Sequence, residues 1–369
     1  MKWFGVVAAV VAFWFGAAGP GTGQAVAAPA DAKSARSKQA VAPRKSVSRA
    51  NRAHRPANKE RARSRVAGSG SKRAKSKPVA AAAAAATRPA VAATSAVVPA
   101  SLQATAPDAA ATMSIGEAIG LHTIPDRLAL RSAVALLVDA NTGEVLYDKN
   151  SRAVLPIASI TKLMTAMVVL DARQSLDEPI TILDADRDTE RFSASRLPVG
   201  SRLTRRELLH LALMSSENRA ASALARNYPG GDSAFVAAAN RKAADIGMRD
   251  SIFMDGTGLS AGNVSTARDL AVLVAHAARY PLIARFSTDD RLTVRTAQGS
   301  RAFGTTNRLV RNPSWDISLQ KTGYINESGN CLVMRGQIDG RNLIMVLLDS
   351  HGRYSRLGDA QRLRRWLEG

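Results

Sequence analysis

The sequence has few of the residues that build disulfide frameworks or metal sites. Its 369 residues include one cysteine and five histidines. No CxxC, HxH or HxxxH spacing occurs, so an intrachain disulfide is excluded and a zinc centre is not expected. The lone thiol, Cys331, lies in the apolar run 331–334 and is predicted to be a buried, unreactive side chain of a strand. We expect neither a metal nor another cofactor.

Residues 1–30 have the pattern of a secretory signal. Lys2 supplies the positive start, residues 3–18 form the apolar run, and Ala25-Val26-Ala27 and Ala28-Pro29-Ala30 are alternative cleavage sites. An uncleaved membrane anchor is the competing interpretation, but the run is short for a span of about 20 residues and ends in a Gly-Pro-Gly turn. No cysteine lies near these sites, which excludes a lipid-modified start. The protein is therefore expected to be exported.

Residues 31–113 almost lack large apolar side chains and are predicted to form a disordered basic tail rich in Ala, Lys, Arg, Ser and Pro. Residues 31–88 contain seventeen Lys and Arg but only two acidic residues, Asp31 and Glu60, so this stretch carries +15 of the chain's net charge of +21. Export argues against nucleic acid as the partner. An anionic cell wall or membrane surface outside the cytoplasm is the alternative to a spacer without a partner.

Residues 114–369 are predicted to form a single domain bracketed by two β-hairpins. Each hairpin has two apolar runs around an Asn-, Asp- or Gly-containing turn, 133–138 with 145–147 and 331–338 with 343–348. The predicted helices cover 160–170, 203–214, 218–227, 233–246, 266–278 and 354–367. Strands at both ends with helices between them predict an α+β fold, in which N- and C-terminal strands form one antiparallel sheet flanked by helices and carrying a helical subdomain.

Ser159-Ile160-Thr161-Lys162 leads into a predicted helix that is apolar on nearly every face and therefore buried. A Ser and a Lys three residues apart on a helix lie one turn from each other, so the amine is within reach of the hydroxyl. A lysine among apolar neighbours and near another cation loses proton affinity and can act as a general base. The S-x-x-K pattern alone is weak, because Ser69-Gly70-Ser71-Lys72 in the tail repeats it.

Two further motifs follow. Ser216-Glu217-Asn218 falls between two predicted helices, where a hydroxyl and an amide can relay a proton and orient a substrate amide. A second copy, Ser328-Gly329-Asn330, is predicted to be a hairpin turn. Lys321-Thr322-Gly323 occurs once, at a predicted strand. Its cation and hydroxyl can bind a carboxylate, and its glycine lets a substrate backbone approach closely.

The three motifs in this order, S-x-x-K, S-x-N and K-T-G, resemble those of penicillin-binding proteins and class A β-lactamases. The surrounding residues are similar to those of the low-molecular-mass D-alanyl-D-alanine peptidases, and most of all to their endopeptidase branch, the penicillin-binding protein 7 type. The resemblance covers about 130–369, and its most similar segments are PIASITKLMTAM (156–167), LMSSENRAA (213–221) and NVSTARDL (263–270).

The resemblance implies a penicillin-binding transpeptidase/β-lactamase-like fold and a role for each matching residue. Ser159 would attack the substrate and Lys162 would take its proton, while Ser216 and Asn218 would shuttle protons and hold the substrate. Lys321, Thr322 and Gly323 would bind the carboxylate beside the scissile bond. The backbone N–H groups of Ser159 and Tyr324 would form the oxyanion hole. The expected substrate is crosslinked peptidoglycan, with β-lactams as inhibitors, and the expected location is the periplasm.

Several alternatives use the same residues. A D,D-carboxypeptidase also needs a carboxylate beside the scissile bond, so the motifs do not separate it from an endopeptidase that cuts D-Ala–diaminopimelate crosslinks. A β-lactamase is less favoured because no convincing Glu-x-x-x-Asn follows residue 218. A wall-binding or β-lactam-sensing module would not need Lys162. The sequence ends just after the predicted basic helix at 354–367, so we expect a soluble or peripherally wall-associated protein rather than one with a C-terminal anchor.

Overall fold

A five-stranded antiparallel sheet is the centre of the part of the chain that the computed structural model describes, residues 113–369. The strands, numbered in chain order, are β1 (Ser132–Asp139), β2 (Val145–Lys149), β3 (Leu155–Pro156), β4 (Pro179–Thr181), β5 (Arg202–Thr204), β6 (Val264–Ser265), β7 (Arg291–Thr296), β8 (Gly299–Gly304), β9 (Asp316–Ile325), β10 (Gly329–Ile338) and β11 (Arg341–Ser350). The helices are α1 (Ile115–Ala118), α2 (Thr161–Asp171), α3 (Arg205–Met214), α4 (Asn218–Arg226), α5 (Gly231–Asp245), α6 (Ala267–Ala277), α7 (Pro281–Thr288) and α8 (Ser355–Glu368).

The order of the strands across the sheet is β2-β1-β11-β10-β9. The two predicted hairpins are β1–β2 and β10–β11, and they meet through β1 and β11, where Val134 lies opposite Leu348 and Val138 opposite Ile344. The predicted pairing of N-terminal with C-terminal strands is therefore confirmed. Strand β9, which carries the K-T-G motif, forms one edge of the sheet.

Both faces of the sheet are covered by helices. Alternate residues of a strand face opposite sides, and in β11 the side chains of Val346 and Leu348 join the core that contains α6, whereas Met345 and Leu347 join the core beneath α8. Because both sides are buried, β11 has a nearly continuous apolar sequence instead of an alternating one. This explains why the sequence pattern predicted strands here but did not show which residues face α6 and which face α8.

The helical subdomain is built around α2. This helix contacts α3, α4, α5 and α6, and its residues from Thr161 to Val169 are all buried, as its apolar sequence predicted. The predicted helix at 266–278 is present as α6, and the Thr266 side chain caps it by accepting a hydrogen bond from the Asp269 backbone N–H. The sequence pattern missed α7 and the β7–β8 hairpin. That hairpin is largely exposed and has few buried apolar residues, among them Val294 and Phe303.

The predicted signal (1–30) and nearly all of the predicted tail (31–113) lie outside the described residues. Within residues 113–369, no helix is both long enough and apolar enough to cross a membrane. The structure therefore bears on the predicted domain alone.

Cys331 allows a test of the packing of the sheet. It is fully buried in β10, and burial raises the pKa of its thiol to about 11, so little thiolate exists at neutral pH. We expect the Cys331 thiol of the native protein not to react with an aromatic disulfide reagent. In protein unfolded in guanidinium, the same thiol should react with one equivalent of the reagent. A Cys331→Ser variant supplies the blank. Full reaction of the native protein within seconds would contradict this packing.

Candidate active site

Ser159 lies in a single 3₁₀ turn, Ala158–Ile160, immediately before α2. The turn starts from an unusual backbone, since Ala158 has φ +46. Its carbonyl accepts a hydrogen bond of 2.8 Å from the Thr161 hydroxyl. This geometry places the Ser159 hydroxyl at the end of the buried helix, with Lys162 on the first turn behind it.

The Lys162 side chain joins three parts of the chain. Its Nζ atom is 2.7 Å from Ser159 Oγ, 2.8 Å from Asn218 Oδ1 and 2.5 Å from the backbone oxygen of Thr257. The predicted Ser–Lys contact is therefore present, and the predicted S-x-N motif meets it through Asn218. Three acceptors around one buried amine hold it in a single position beside the hydroxyl.

Burial lowers the pKa of Lys162 from 10.5 to about 7, although the carboxylates of Asp255 and Glu217 partly oppose the shift. Removing an ammonium group from water disfavours its charged form, and here this effect is larger than the attraction of the two acids. At neutral pH a substantial fraction of the amine is therefore unprotonated and can accept the proton of Ser159.

The S-x-N and K-T-G motifs meet through a second buried lysine. Lys321 Nζ donates to Ser216 Oγ at 2.8 Å and to the Thr322 backbone oxygen at 2.8 Å. Burial, followed by the positive charge of Lys162, holds the pKa of Lys321 well below its usual value. Ser216 has φ +59 at the α3–α4 junction, outside either helix. Each lysine is thus hydrogen-bonded to one serine of the site, Lys162 to Ser159 and Lys321 to Ser216.

The glycine of the K-T-G motif packs against the 3₁₀ turn Ala158–Ile160, which contains Ser159. A Cβ atom on Gly323 would lie 2.9 Å from the Ile157 carbonyl oxygen and 3.2 Å from the Ser159 nitrogen. The motif predicts that this glycine lets substrate backbone approach; in the structure, it also permits β9 to lie against Ser159. Tyr324 follows with an exposed side chain whose hydroxyl donates to Asn326 Oδ1 at 3.0 Å.

These residues line a groove of about 470 Å³. Of the eight residues predicted for the site, six line the groove: Ser159, Ser216, Asn218, Thr322, Gly323 and Tyr324. Lys162 and Lys321 lie beneath its floor, fully buried. A larger cavity of about 780 Å³ lies beyond Tyr324 and contains none of the three motifs apart from that neighbouring tyrosine. We therefore place the chemistry in the smaller groove.

The loop after α5 completes the site and was not predicted from the sequence. Asp255 accepts hydrogen bonds from the backbone N–H groups of Thr257, Gly258 and Ser260. Burial alone would raise the pKa of this carboxyl, but the hydrogen bonds from Thr257, Ser260 and Gly258 outweigh it and lower the pKa. The loop so formed presents the Thr257 carbonyl to Lys162. The Asp-Gly-Thr-Gly sequence was a turn signal that could have drawn attention to it.

A second missed feature holds the S-x-N motif from the other side. Asn218 Nδ2 donates to Ser193 Oγ at 2.9 Å, which fixes the direction in which the Asn218 amide points. Glu217 is nearly buried and accepts a hydrogen bond from the Ser195 hydroxyl. Burial raises the pKa of Glu217. No sequence pattern indicated that residues 193–195 would lie next to residues 217–218.

A substitution of Gly258 tests whether the loop after α5 positions Ser159. Gly258 has φ +79, and an added Cβ atom would lie 2.0 Å from the Ala158 carbonyl oxygen. Gly258→Ala is expected to lower the free energy of unfolding by about 2–5 kcal/mol, from backbone strain and overpacking, and to slow acylation of Ser159 by penicillin. Denaturant unfolding and labelling rates measure the two effects.

Gly247 provides the matched control. It has φ +87, and a Cβ atom there would meet nothing within 4 Å. Gly247→Ala should therefore show only the strain of the left-handed backbone, about 1–2 kcal/mol, with normal acylation. Equal effects of the two substitutions would show that the contact between Gly258 and the 3₁₀ turn Ala158–Ile160 is unimportant for stability and for acylation.

The arrangement can perform nucleophilic catalysis without a metal ligand set. A hydroxyl, a neighbouring amine of lowered pKa, a second hydroxyl and a second buried amine are groups that can form and break an acyl-enzyme. Within residues 113–369, no group of three or more His, Cys, Asp or Glu side chains is placed to hold a metal ion.

Comparison with known proteins gives a consistent result. A profile of the family described as D-alanyl-D-alanine carboxypeptidase, peptidase family S11, matches residues 122–352. A D-alanyl-D-alanine endopeptidase of Pseudomonas aeruginosa is 52% identical over 241 residues, which are 65% of this chain and 78% of that protein.

Solved structures of similar proteins have the same fold. A mutant of the Streptomyces K15 DD-transpeptidase aligns with a TM-score of 0.61 and 27% identity, over 66% of this chain and 98% of that one. Ampicillin-bound penicillin-binding protein D2 of Listeria monocytogenes aligns with a TM-score of 0.56 and 29% identity, over 65% and 98%. The predicted α+β class with an antiparallel sheet and a helical subdomain is confirmed.

Proposed function

This chain belongs to the D-alanyl-D-alanine carboxypeptidase family, peptidase family S11, and we propose that within it the protein is an endopeptidase that cuts D-Ala–diaminopimelate crosslinks of peptidoglycan. It is a serine hydrolase of the D-Ala-D-Ala peptidase class. The observation that carries the proposed chemistry is the 2.7 Å contact between the buried Lys162 amine and the Ser159 hydroxyl.

The proposed first step is acylation of Ser159. Lys162, unprotonated, takes the hydroxyl proton while Ser159 Oγ attacks the D-alanyl carbonyl. The backbone N–H groups of Ser159 and Tyr324 stabilise the oxyanion, each such donor being worth about 3 kcal/mol. The bond between D-alanine and the next residue then breaks, and Ser216 gives its hydroxyl proton to the departing amine and regains one from Lys162, so that one proton has moved from Ser159 to the leaving group. Water then attacks the ester carbonyl and gives one proton to Lys162, which returns it to Ser159 Oγ as the ester bond breaks, so that the acyl group leaves as a carboxylic acid and Ser159 is regenerated.

The proposed substrate contacts follow from the two sides of the groove. Asn218, whose amide is oriented by Lys162 and Ser193, holds the substrate amide. Lys321 supplies positive potential from below, and the Thr322 hydroxyl, 2.6 Å from that of Thr306, binds the carboxylate beside the scissile bond. β-Lactams are proposed to acylate the same serine, which the ampicillin-bound relative supports. No metal or cofactor takes part in this proposal.

The endopeptidase assignment rests on the 52% identical relative that carries this name. The substrate is found outside the cytoplasm, so we propose that residues 1–30 direct export to the periplasm and that the basic segment 31–113 contacts an anionic wall or membrane surface. Both segments lie outside the described residues. The competing assignment, removal of terminal D-alanine, would use the same groove.

We expect the purified protein to cleave a crosslinked muropeptide dimer with a higher specificity constant than it shows for D-alanine release from a pentapeptide monomer. Binding energy from the longer leaving peptide can be used to accelerate the chemical step. The measurement supplies both substrates at equal concentration and follows both products by chromatography. Faster release of D-alanine from the monomer would place the enzyme among the carboxypeptidases.

A further inference from the structure

The groove around Ser159 is lined by a cluster of arginines. Four arginine residues line it together with Thr322, and no Asp or Glu is among the lining residues. The arginines are Arg308, Arg311, Arg353 and Arg356. A concave surface lined by one sign of charge attracts groups of the opposite sign. The motifs of the active site do not account for this concentration of positive charge.

Two of these arginines are held around one aromatic ring. The Arg308 guanidinium carbon is 4.7 Å from the ring centroid of Tyr354, and its Nη2 atom donates to the tyrosine hydroxyl at 3.3 Å. The Arg353 guanidinium carbon is 5.5 Å from the same centroid. Within residues 113–369, neither arginine forms an ion pair, whereas Arg311 approaches Asp290. Cation–π contacts thus position two like charges that form no ion pair with the acidic residues of 113–369.

Helix α8 adds to the positive potential at this place. It begins at Ser355, its N-cap Tyr354 makes no side-chain capping bond, and its first turn contains no acidic residue but does contain Arg356. The N-terminus of a helix carries partial positive charge and is normally complemented by Asp or Glu. Here arginines precede and follow the helix start, so positive side chains and the positive end of the helix lie together, without an acidic residue in the first turn.

The position of the cluster indicates which part of a substrate reaches it. Thr306 contacts Thr322, the residue proposed to bind the carboxylate beside the scissile bond, and Arg308 lies two residues further along the same groove wall. A terminal D-alanine ends at that carboxylate. A crosslinked stem continues past it and carries further carboxylates on its own residues. Of the two leaving groups, only the longer one therefore has further carboxylates to offer to arginines of the same groove.

We propose that Arg308 and Arg353, held around Tyr354, form a second anion subsite that binds a carboxylate of the departing peptide stem, beyond the one beside the scissile bond. This inference rests on the proposed endopeptidase function and names the groups that distinguish a crosslink from a terminal D-alanine. The subsite acts in binding and positioning; the bond that breaks and the proton transfers are unchanged.

The test compares selectivity in the full-length protein. The double variant Arg308→Gln/Arg353→Gln is expected to lower the ratio of specificity constants, crosslinked dimer over pentapeptide, by about tenfold, because two partly exposed charge-assisted contacts are lost. The matched control is Arg365→Gln, which removes one exposed arginine of α8 that does not line the groove; it should leave the ratio unchanged. Thermal unfolding and penicillin labelling verify that each variant is folded.

A chemically altered substrate identifies the group that is bound. The dimer is prepared with the carboxylates of the leaving stem amidated, except the one beside the scissile bond. The wild type should lose about the same tenfold on this substrate, and the double variant should lose little more. Independent, multiplying losses would show that the arginines and those carboxylates do not interact and would overturn the proposal.

The two levels of the proposal fail in different ways. If the wild type cleaves the dimer preferentially and the double variant keeps that preference, the anion subsite is wrong and the endopeptidase function stands. If the wild type itself releases D-alanine faster than it cleaves the dimer, both are wrong. A uniform loss on dimer, pentapeptide and penicillin would indicate general damage to the groove and would also overturn the subsite.

Discussion

Ser159→Ala is expected to abolish covalent labelling by a fluorescent penicillin and to reduce peptide cleavage to background. Ser159 is the groove hydroxyl that contacts the low-pKa amine of Lys162, and an alanine at this position has no atom that can form the acyl bond. Labelling is measured on denaturing gels over a time course long enough to detect a reaction slowed about 10⁴-fold.

Folding must be preserved for this result to be informative. The substitution removes one oxygen from a partly exposed side chain, so the thermal unfolding midpoint should stay within a few degrees of the wild type. Ser318→Ala, which removes an exposed hydroxyl of β9 outside the groove, is the matched control and should be labelled normally. Labelling of Ser159→Ala at the wild-type rate would place the nucleophile elsewhere.

Lys162→Ala is expected to slow acylation by between about 10² and 10⁴-fold, the contribution typical of a general base. Lys162→Arg should be almost as slow, because a guanidinium keeps the positive charge but cannot give up its proton in a protein. Lys242→Ala, on the exposed side of α5 in an ion pair with Asp171, serves as the control. Substantial activity in Lys162→Arg would show that only the charge matters.

The pH dependence tests the same role in the wild type. Burial lowers the pKa of Lys162 to about 7, and the active form is the unprotonated amine. The acylation rate should therefore be low near pH 5.5, rise through about pH 7 and level off above it. An unshifted lysine would instead give a rise near pH 10. A rate that is constant from pH 5.5 to 8.5 would rule out Lys162 as the titrating base.

Comparison of the two buried lysines separates their roles. Lys321 contacts Ser216, not Ser159, and contributes positive potential and substrate binding in our proposal. Lys321→Ala should therefore weaken β-lactam capture less completely than Lys162→Ala does. Equally mild effects of the two substitutions would contradict the assignment of the general-base role to Lys162 and of positive potential to Lys321.

Much of the site could be predicted because its key relation is local. Ser159 and Lys162 are three residues apart where a helix begins, and helix geometry alone brings such side chains together. The paired hairpins at the two ends of the domain were likewise visible as apolar runs around turn residues. Local spacing and periodicity do not depend on how distant parts of the chain pack, so these features could be predicted from the sequence by itself.

The remaining relations depend on how distant elements pack. Lys321 and Ser216 are 105 residues apart and meet at 2.8 Å, and Asp255 shapes a loop that touches Lys162 from a third element. Nothing in the sequence spacing connects them, because their contact requires β9, α2 and the loop after α5 to be folded against one another. Weak motifs gain meaning only there: Ser216-Glu217-Asn218 enters the site, whereas Ser328-Gly329-Asn330 lies at the β9–β10 turn.

The sequence by itself determined the family resemblance, the order of the three motifs and the Ser159–Lys162 pair, all of which follow from residue identity and short spacing. Only the tertiary structure decided that Lys321 is buried as well, that burial lowers the pKa of Lys162 to about 7, and that the arginines around Tyr354 line the same groove as Ser159. The physical reason is that the exclusion of water and the electric field at an atom are properties of everything packed around it, and no local segment of the chain contains them.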